Sequence, residues 1–334
     1  MSALGASSRG WLRGLPQSRL AQRLSIGVSL VVAGFGGGNS AQGPQAQRDF
    51  CTRPKIGSAV QEPQDLRSHD GVLQLDLTIY DQKQPDGSIR YCYLTPDGIP
   101  SPTLRLKPGD LLILRFRNNL IDFKSALPTA DLGLPQATPI AGPLCLSHKR
   151  ADPCTSGAMT ATSSNLHFHG LTVPAVCHQD DVLQTSIQPG DPPFEYRFRI
   201  PADEPPGLYW YHPHIHGYSK AEVLGGASGA LIVEGIERAN PEIAGLPERV
   251  LVIRDQDLVN PDAPPSKSEP VVPKMLIDRD GDAANNGTGF GKPAKDLSIN
   301  YVPVPYPDYP PASITMKPGE RQLWRVLNAS AMTT

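Results

Sequence analysis

The chain reads as an all-β protein of sandwich or barrel type, and three observations lead there. Its 36 prolines and 31 glycines are spread over 334 residues rather than gathered in one tract, so turns recur throughout. The β-prone runs are short, at 72–80, 89–94, 104–106 and 111–116. Turn formers separate them: Pro85-Asp86-Gly87, Pro96-Asp97-Gly98 and Lys107-Pro108-Gly109-Asp110. No run sustains the 3.6-residue period of an amphipathic helix.

Taken in order, the first 42 residues differ in kind from the rest. Arg9, Arg13, Arg19 and Arg23 precede an apolar run at 24–35, and small residues follow to Asn39-Ser40-Ala41. This is the layout of a secretory signal, with an apolar core shorter than the ~20 residues of a membrane span. No two of those arginines are adjacent. Export to an oxidising compartment, periplasmic or secreted, permits disulfides among the five cysteines. Cys145 and Cys154 flank a short polar loop and form the preferred pair, leaving Cys51, Cys92 and Cys177 with one thiol over. The formal charge of -2 offers no basic surface for nucleic acid.

An extension at 43–69 precedes a first domain at 70–235. Within it a long connection, 121–164, is rich in Ala, Pro, Thr and Ser and reads as an insertion. The run 182–187, a turn at Gln188-Pro189-Gly190-Asp191 and an alternating strand at 194–200 follow. Pro205-Pro206-Gly207 leads into an aromatic and histidine-rich strand. Gly225-Gly226-Ala227-Ser228-Gly229 then introduces the closing strand, 230–233.

Two histidine clusters carry the chemistry. Tyr209-Trp210-Tyr211-His212-Pro213-His214-Ile215-His216-Gly217 places three imidazoles in five residues. On a strand, alternation turns His212, His214 and His216 the same way. About 45 residues upstream, Asn165-Leu166-His167-Phe168-His169-Gly170 repeats the pattern. Four protonated imidazoles on one face would repel, so a bound cation that demands the neutral form is the natural resolution. Clustered imidazoles without a Cys-x-x-Cys favour copper or zinc over a structural zinc finger.

The chain also repeats itself. Thr103-Leu104-Arg105-Leu106-Lys107-Pro108-Gly109-Asp110 and Ser313-Ile314-Thr315-Met316-Lys317-Pro318-Gly319-Glu320 stand 210 positions apart, and Arg115 and Asn118 find Arg325 and Asn328 at the same offset. A second copy of the fold is expected at 249–334, incomplete, after a linker at 236–248.

His167-Phe168-His169-Gly170, Ile187-Gln188-Pro189-Gly190 and Gly207-Leu208-Tyr209-Trp210-Tyr211-His212-Pro213-His214-Ile215-His216-Gly217 together resemble the amino-terminal copper motifs of multicopper oxidases, the laccase-like family. The resemblance runs from about Gly71 onward. It implies cupredoxin-like Greek-key domains, the first complete and the second partial. By the same resemblance, His167 is a type 2 copper ligand, and His169, His212 and His214 bind the paired type 3 coppers. Asp180, in Gln179-Asp180-Asp181-Val182, matches an acidic position linked to proton delivery. His216 falls outside the ligand pattern, and Glu222 stands where relatives often carry Gln.

The implied reaction couples one-electron oxidation of a phenolic or metal-ion donor to four-electron reduction of oxygen to water. The family's carboxy-terminal His-Pro-x-His-x-His and His-Cys-His motifs are absent from these residues, and His69, His148 and His178 lack the spacing to replace them. The resemblance therefore implies half of a trinuclear copper site, no type 1 copper, and a missing carboxy-terminal cupredoxin region as partner. Two other readings use the same histidines: an exported copper-binding or copper-buffering protein without turnover, and a zinc site. No membrane span is expected once the signal is removed.

Overall fold

Strict alternation of apolar and polar side chains builds the strands that support the histidines. The computed structural model describes residues 49–121, 152–155, 158–264 and 293–332. The signal-like residues, Cys145, His148 and most of the 121–164 connection lie outside them. The first strands are β1 (Asp65–Arg67), β2 (Val72–Lys83), β3 (Ile89–Leu94), β4 (Thr103–Leu106) and β5 (Leu111–Asn119). Then come β6 (His167–His169), β7 (Phe194–Arg199), β8 (Gly207–His212), α1 (Ser219–Leu224), β9 (Gly229–Val233) and α2 (Ile236–Ala239). The last are β10 (Glu248–Gln256), β11 (Asp296–Ile299), β12 (Val302–Val304) and β13 (Leu323–Asn328). The all-β expectation holds, and both helices are short.

Two sheets face each other in a sandwich. One has the order β3-β2-β5-β7 and the other β1-β4-β9-β8-β6. Leu73, Leu75, Leu77 and Ile79 of β2, Leu112, Leu114 and Phe116 of β5, and Phe194, Tyr196 and Phe198 of β7 all turn inward. They meet Leu104, Leu106, Phe168, Tyr211, Leu231 and Val233 of the opposing sheet in one continuous core. Each such side chain contributes roughly 1.5–3 kcal/mol on removal from water.

A third sheet, β12-β11-β10-β13, packs on the outside of this sandwich. Ala230 and Ile232 of β9, with Leu208 and Trp210 of β8, meet Val250, Val252 and Leu327. Strand β9 is thus covered on both faces, which explains its unbroken run Ala230-Leu231-Ile232-Val233 where β2 and β7 alternate. Glu248 at the start of β10 joins the sheets by ion pairs to Arg105 of β4, at 2.6 Å, and to Arg325 of β13.

The cysteine pairing expected from loop length is corrected. Cys154 bonds Cys177 and not Cys145, and Cys51 bonds Cys92, with Cα separations of 5.5 and 5.4 Å. The turn at 152–155 is docked by Ser186 N–H, which donates to the Pro153 carbonyl. That contact sets Cys154 against the 174–180 turn. Proximity in the sandwich therefore overrides proximity along the chain. Among the described residues no helix is long and apolar enough to cross a membrane.

Candidate metal centre

Strands β6 and β8 are antiparallel neighbours, with His167 opposite His212 and His169 opposite Trp210. Phe168 and Tyr211, one position along, point into the sandwich core, so His167, His169 and His212 project from the outer face of the sheet. Strand β6 is the edge of that sheet. The third sheet covers the same face further along, over Trp210 and β9.

The imidazoles converge. Ring centroids lie 5.2 Å apart for His167 and His169, 5.2 Å for His167 and His212, and 5.5 Å for His169 and His212. One ring nitrogen from each of these three falls within 4.8 Å of the others. His214 joins at 5.4 Å from His167 and 6.2 Å from His212.

The expected common projection of His212, His214 and His216 is corrected in part. Strand β8 ends at His212, and the chain beyond Pro213 turns toward α1, with Tyr218 N–H donating to the Ile215 carbonyl. His214 still reaches the cluster because Asn165 holds its backbone, the Asn165 Oδ1 accepting from His214 N–H at 2.7 Å. His216 is exposed and directs its N–H to the Met159 sulfur.

Neighbouring groups fix the rings. His167 Nδ1 is 2.9 Å from Asp180 Oδ2, and the other oxygen of this buried carboxylate accepts from Phe168 N–H at 2.9 Å. His212 Nδ1 donates to the Pro213 carbonyl at 2.9 Å. With the proton on Nδ1, each ring presents the Nε2 lone pair outward, the arrangement a metal ligand requires. Trp210 stacks on His212 at 4.0 Å and leans over His169 at 5.2 Å. Gly170 completes the turn after β6 with φ of +91°, and a Cβ there would meet the Tyr209 ring at 3.0 Å.

The electrostatics favour neutral imidazole. Burial pushes His212 down to about 3, helped by His167, His169 and His214. Burial also lowers His169, with His167 and His214 acting in the same direction. A cluster of neutral imidazoles, with His169 Nδ1 3.4 Å from His212 Nε2, offers nitrogen ligands that fit a soft or borderline cation.

Sequence reasoning placed Asp180 near the site by resemblance alone; the structure gives it a physical partner. Asn165 was missed as a positioning residue. It is fully buried, its amide donates to the Thr185 carbonyl at 2.9 Å, and its oxygen anchors His214. The signal was available, since a polar residue beside the apolar Leu166, just ahead of β6, needs partners of its own once buried. His178 lies away from the cluster, stacked on Phe194 with Nδ1 donating to the Glu195 carbonyl.

This β-sandwich presents clustered histidines from adjacent strands, a set of groups that could hold a metal ion. Residues 158–238 match the family model described as multicopper oxidase. That matched stretch is similar to a multicopper oxidase segment and contains all four converging histidines and Asp180. The chain is 36% identical over 174 residues to a multicopper oxidase, VdtB, of Byssochlamys spectabilis, an alignment covering 52% of this chain and 18% of that protein. It is 28% identical over 193 residues to copper resistance protein A of Escherichia coli, covering 56% of this chain and 23% of that one. The matched region thus spans about a fifth of the length of these curated relatives. Among solved structures it is similar to the McoA multicopper oxidase of Aquifex aeolicus, at 19% identity with a TM-score of 0.44, covering 82% of this chain and 46% of that one.

Proposed function

We propose that this chain supplies half of a trinuclear copper site in a laccase-like oxidase that couples one-electron oxidation of a phenolic or metal-ion donor to the reduction of oxygen to water. The observation that carries the reading is the convergence of His167, His169, His212 and His214, with the Nδ1 protons of two of them assigned to fixed acceptors. The donor set fits copper, because imidazole binds both of its common oxidation states. His167 would hold a type 2 ion, and His169, His212 and His214 would hold type 3 ions. When bound, copper supplies the redox chemistry.

The chain's own residues orient and protonate. Asp180 holds the His167 Nδ1 proton and stands as the carboxylate through which a proton is passed to this edge of the sheet. Trp210 keeps the His212 ring from rotating. The outer face at β6 is where a further cupredoxin region, bearing the remaining ligands and the type 1 cysteine, would close the site. The arginine and apolar pattern of residues 1–42 supports export to the periplasm or beyond. The rival reading, copper buffering without turnover, uses the same four histidines.

Copper titration of the purified chain tests the ligand assignment. His212→Ala is expected to lower bound copper by at least one ion per chain, while His216→Ala leaves it unchanged. Equal copper binding in the two variants overturns the site. Oxygen uptake with a phenolic donor, once the complementary cupredoxin region is supplied, separates oxidase from buffer.

A further inference from the structure

Away from the histidines, a cavity of about 820 Å³ lies between the segment around Arg53, strand β3, the end of α1 and strand β10. Arg53, Arg90 and Arg254 all line it. Arg254 is 2% exposed; its Nε and Nη2 donate to the Ser228 side chain and carbonyl, and its Nη1 has no partner. Arg53 Nη2 donates to the carbonyls of Tyr91 and Gly225, both at 3.0 Å. Both guanidinium groups lie over the ring of Tyr301, at 4.0 and 3.9 Å from its centroid.

Arg53 and Arg254 make their direct contacts with neutral groups only. Among the described residues, no carboxylate oxygen lies within 4 Å of Arg53, Arg90 or Arg254. Three acids also line the cavity: Asp255 receives the N–H groups of Ala331 and Met332, Asp257 pairs with Lys295, and Asp86 accepts from Ser88 while lying in the field of Arg90; Asp49 acts on Arg53 from beyond contact distance. Burial lowers Arg53 to about 10, with Arg254 and Arg90 pressing the same way against Tyr301 and Asp49. It therefore stays charged at neutral pH. Carbonyl and ring contacts soften but do not neutralise a desolvated guanidinium.

We propose that this cavity binds a small organic carboxylate with an apolar body. The carboxylate would sit against the planar forks of Arg53 and Arg90 in the field of Arg254, a geometry that guanidinium groups match with two parallel hydrogen bonds. The body would lie on the apolar side chains at the mouth, of which Ile56 and Val259 are 48% and 42% exposed. Such an occupant would add the contact carboxylate that these guanidinium groups lack and cover that apolar surface. The site stands independently of the copper reading, since none of its residues belongs to the histidine cluster.

Calorimetric titration of the copper-free chain with benzoate, benzamide and inorganic phosphate tests it. Benzoate is expected to bind and to raise the melting temperature, while benzamide, of the same shape but uncharged, binds at least tenfold more weakly. Arg53→Gln is expected to weaken benzoate at least tenfold and Arg90→Gln at least threefold, each with an unchanged circular dichroism spectrum. His212→Ala leaves benzoate binding unaltered. Should Arg53→Gln not fold, the Arg90→Gln result decides. Equal binding of benzoate and benzamide, binding of phosphate without benzoate, or indifference to both arginine substitutions overturns the proposal.

Discussion

The two copies of the repeat share their turns but not their surroundings. In each, a lysine N–H is capped by the acid three residues on: Lys107 by Asp110 and Lys317 by Glu320, both at 2.8 Å. In each, the asparagine at the end of the following strand accepts from the N–H two residues later, Asn118 from Leu120 and Asn328 from Ser330. Each following strand also pairs in parallel with the strand that opens its unit, β5 with β2 and β13 with β10. The likeness extends to an aspartate on that partner. Asp81 of β2 receives the Ile121 N–H, and Asp255 of β10 receives Ala331 and Met332.

Burial separates the copies. Strand β4 is buried along its whole length, between β1 and β9, whereas the matching Ser313 makes a single bridge to Ala59. Both faces of the first copy are consequently more constrained. Asn118 is 1% exposed and its amide serves the carbonyls of Thr162 and Ile187. Asn328 is exposed, and Trp324 and Val326 beside it are 44% and 52% exposed. Local hydrogen bonding survives a change of environment; the energy attached to it does not.

Substitution in matched pairs sharpens this contrast. Phe116→Ala in β5 is expected to cost about 3–5 kcal/mol by leaving a core cavity, while Val326→Ala in β13 stays within ~0.5 kcal/mol, both read from urea unfolding. Equal losses would mean the outer face of β13 is covered in solution.

Asp81 makes the first copy respond to pH. Burial raises Asp81 from 3.8 to about 6, whereas in the unfolded chain it ionises near its ordinary value. The folded state therefore carries no penalty below about pH 4, acquires it as pH rises through about 6, and keeps it above. Asp81→Asn is expected to gain stability relative to the parent across that window, by up to ~3 kcal/mol. A variant whose stability difference is flat from pH 4 to 7 would show that the carboxylate is not desolvated.

The smallest contrast lies at the asparagines. Asn118→Ala removes the donor to the Thr162 carbonyl, one of two donors to the Ile187 carbonyl and the acceptor of the Leu120 N–H, and is expected to cost about 2–3 kcal/mol. Asn328→Ala removes a cap at the surface and should cost under ~1 kcal/mol in the same chemical denaturation. Reversed magnitudes would dissolve the distinction between buried and exposed copies.

Much of the scaffold was legible beforehand because alternation and turn chemistry act over a few residues. Strands β2, β3, β5, β7, β8 and β9 fall where apolar alternation or β-branched runs placed them. The Asp81 and Asp255 correspondence was not legible, because the spacing between opening strand and turn differs between the copies and a fixed offset cannot find it. Cys154 was assigned to the wrong neighbour for a related reason: loop length describes the chain, and the docking of the 152–155 turn is a property of the packed sandwich. Within the site, the histidine spacing was plain, yet the end of β8 at His212 removed His216 from the face that alternation had assigned to it.

What the amino-acid order determined alone is the set of short-range arrangements: where strands alternate, where Lys-Pro-Gly turns close, and that His167 and His169 share one side as His212 shares that of Trp210. Those follow from backbone periodicity and from hydrogen bonds spanning three or four residues. The antiparallel register of β6 on β8 decided that the two histidine pairs meet, that Asp180 receives the His167 proton, and that Asn165 holds His214. The packing of β10 and the Tyr301 loop against the sandwich likewise left Arg53 and Arg254 over one aromatic ring without a carboxylate. Such contacts depend on which distant segments the buried core brings together, and side-chain identity near a residue in sequence carries no information about them.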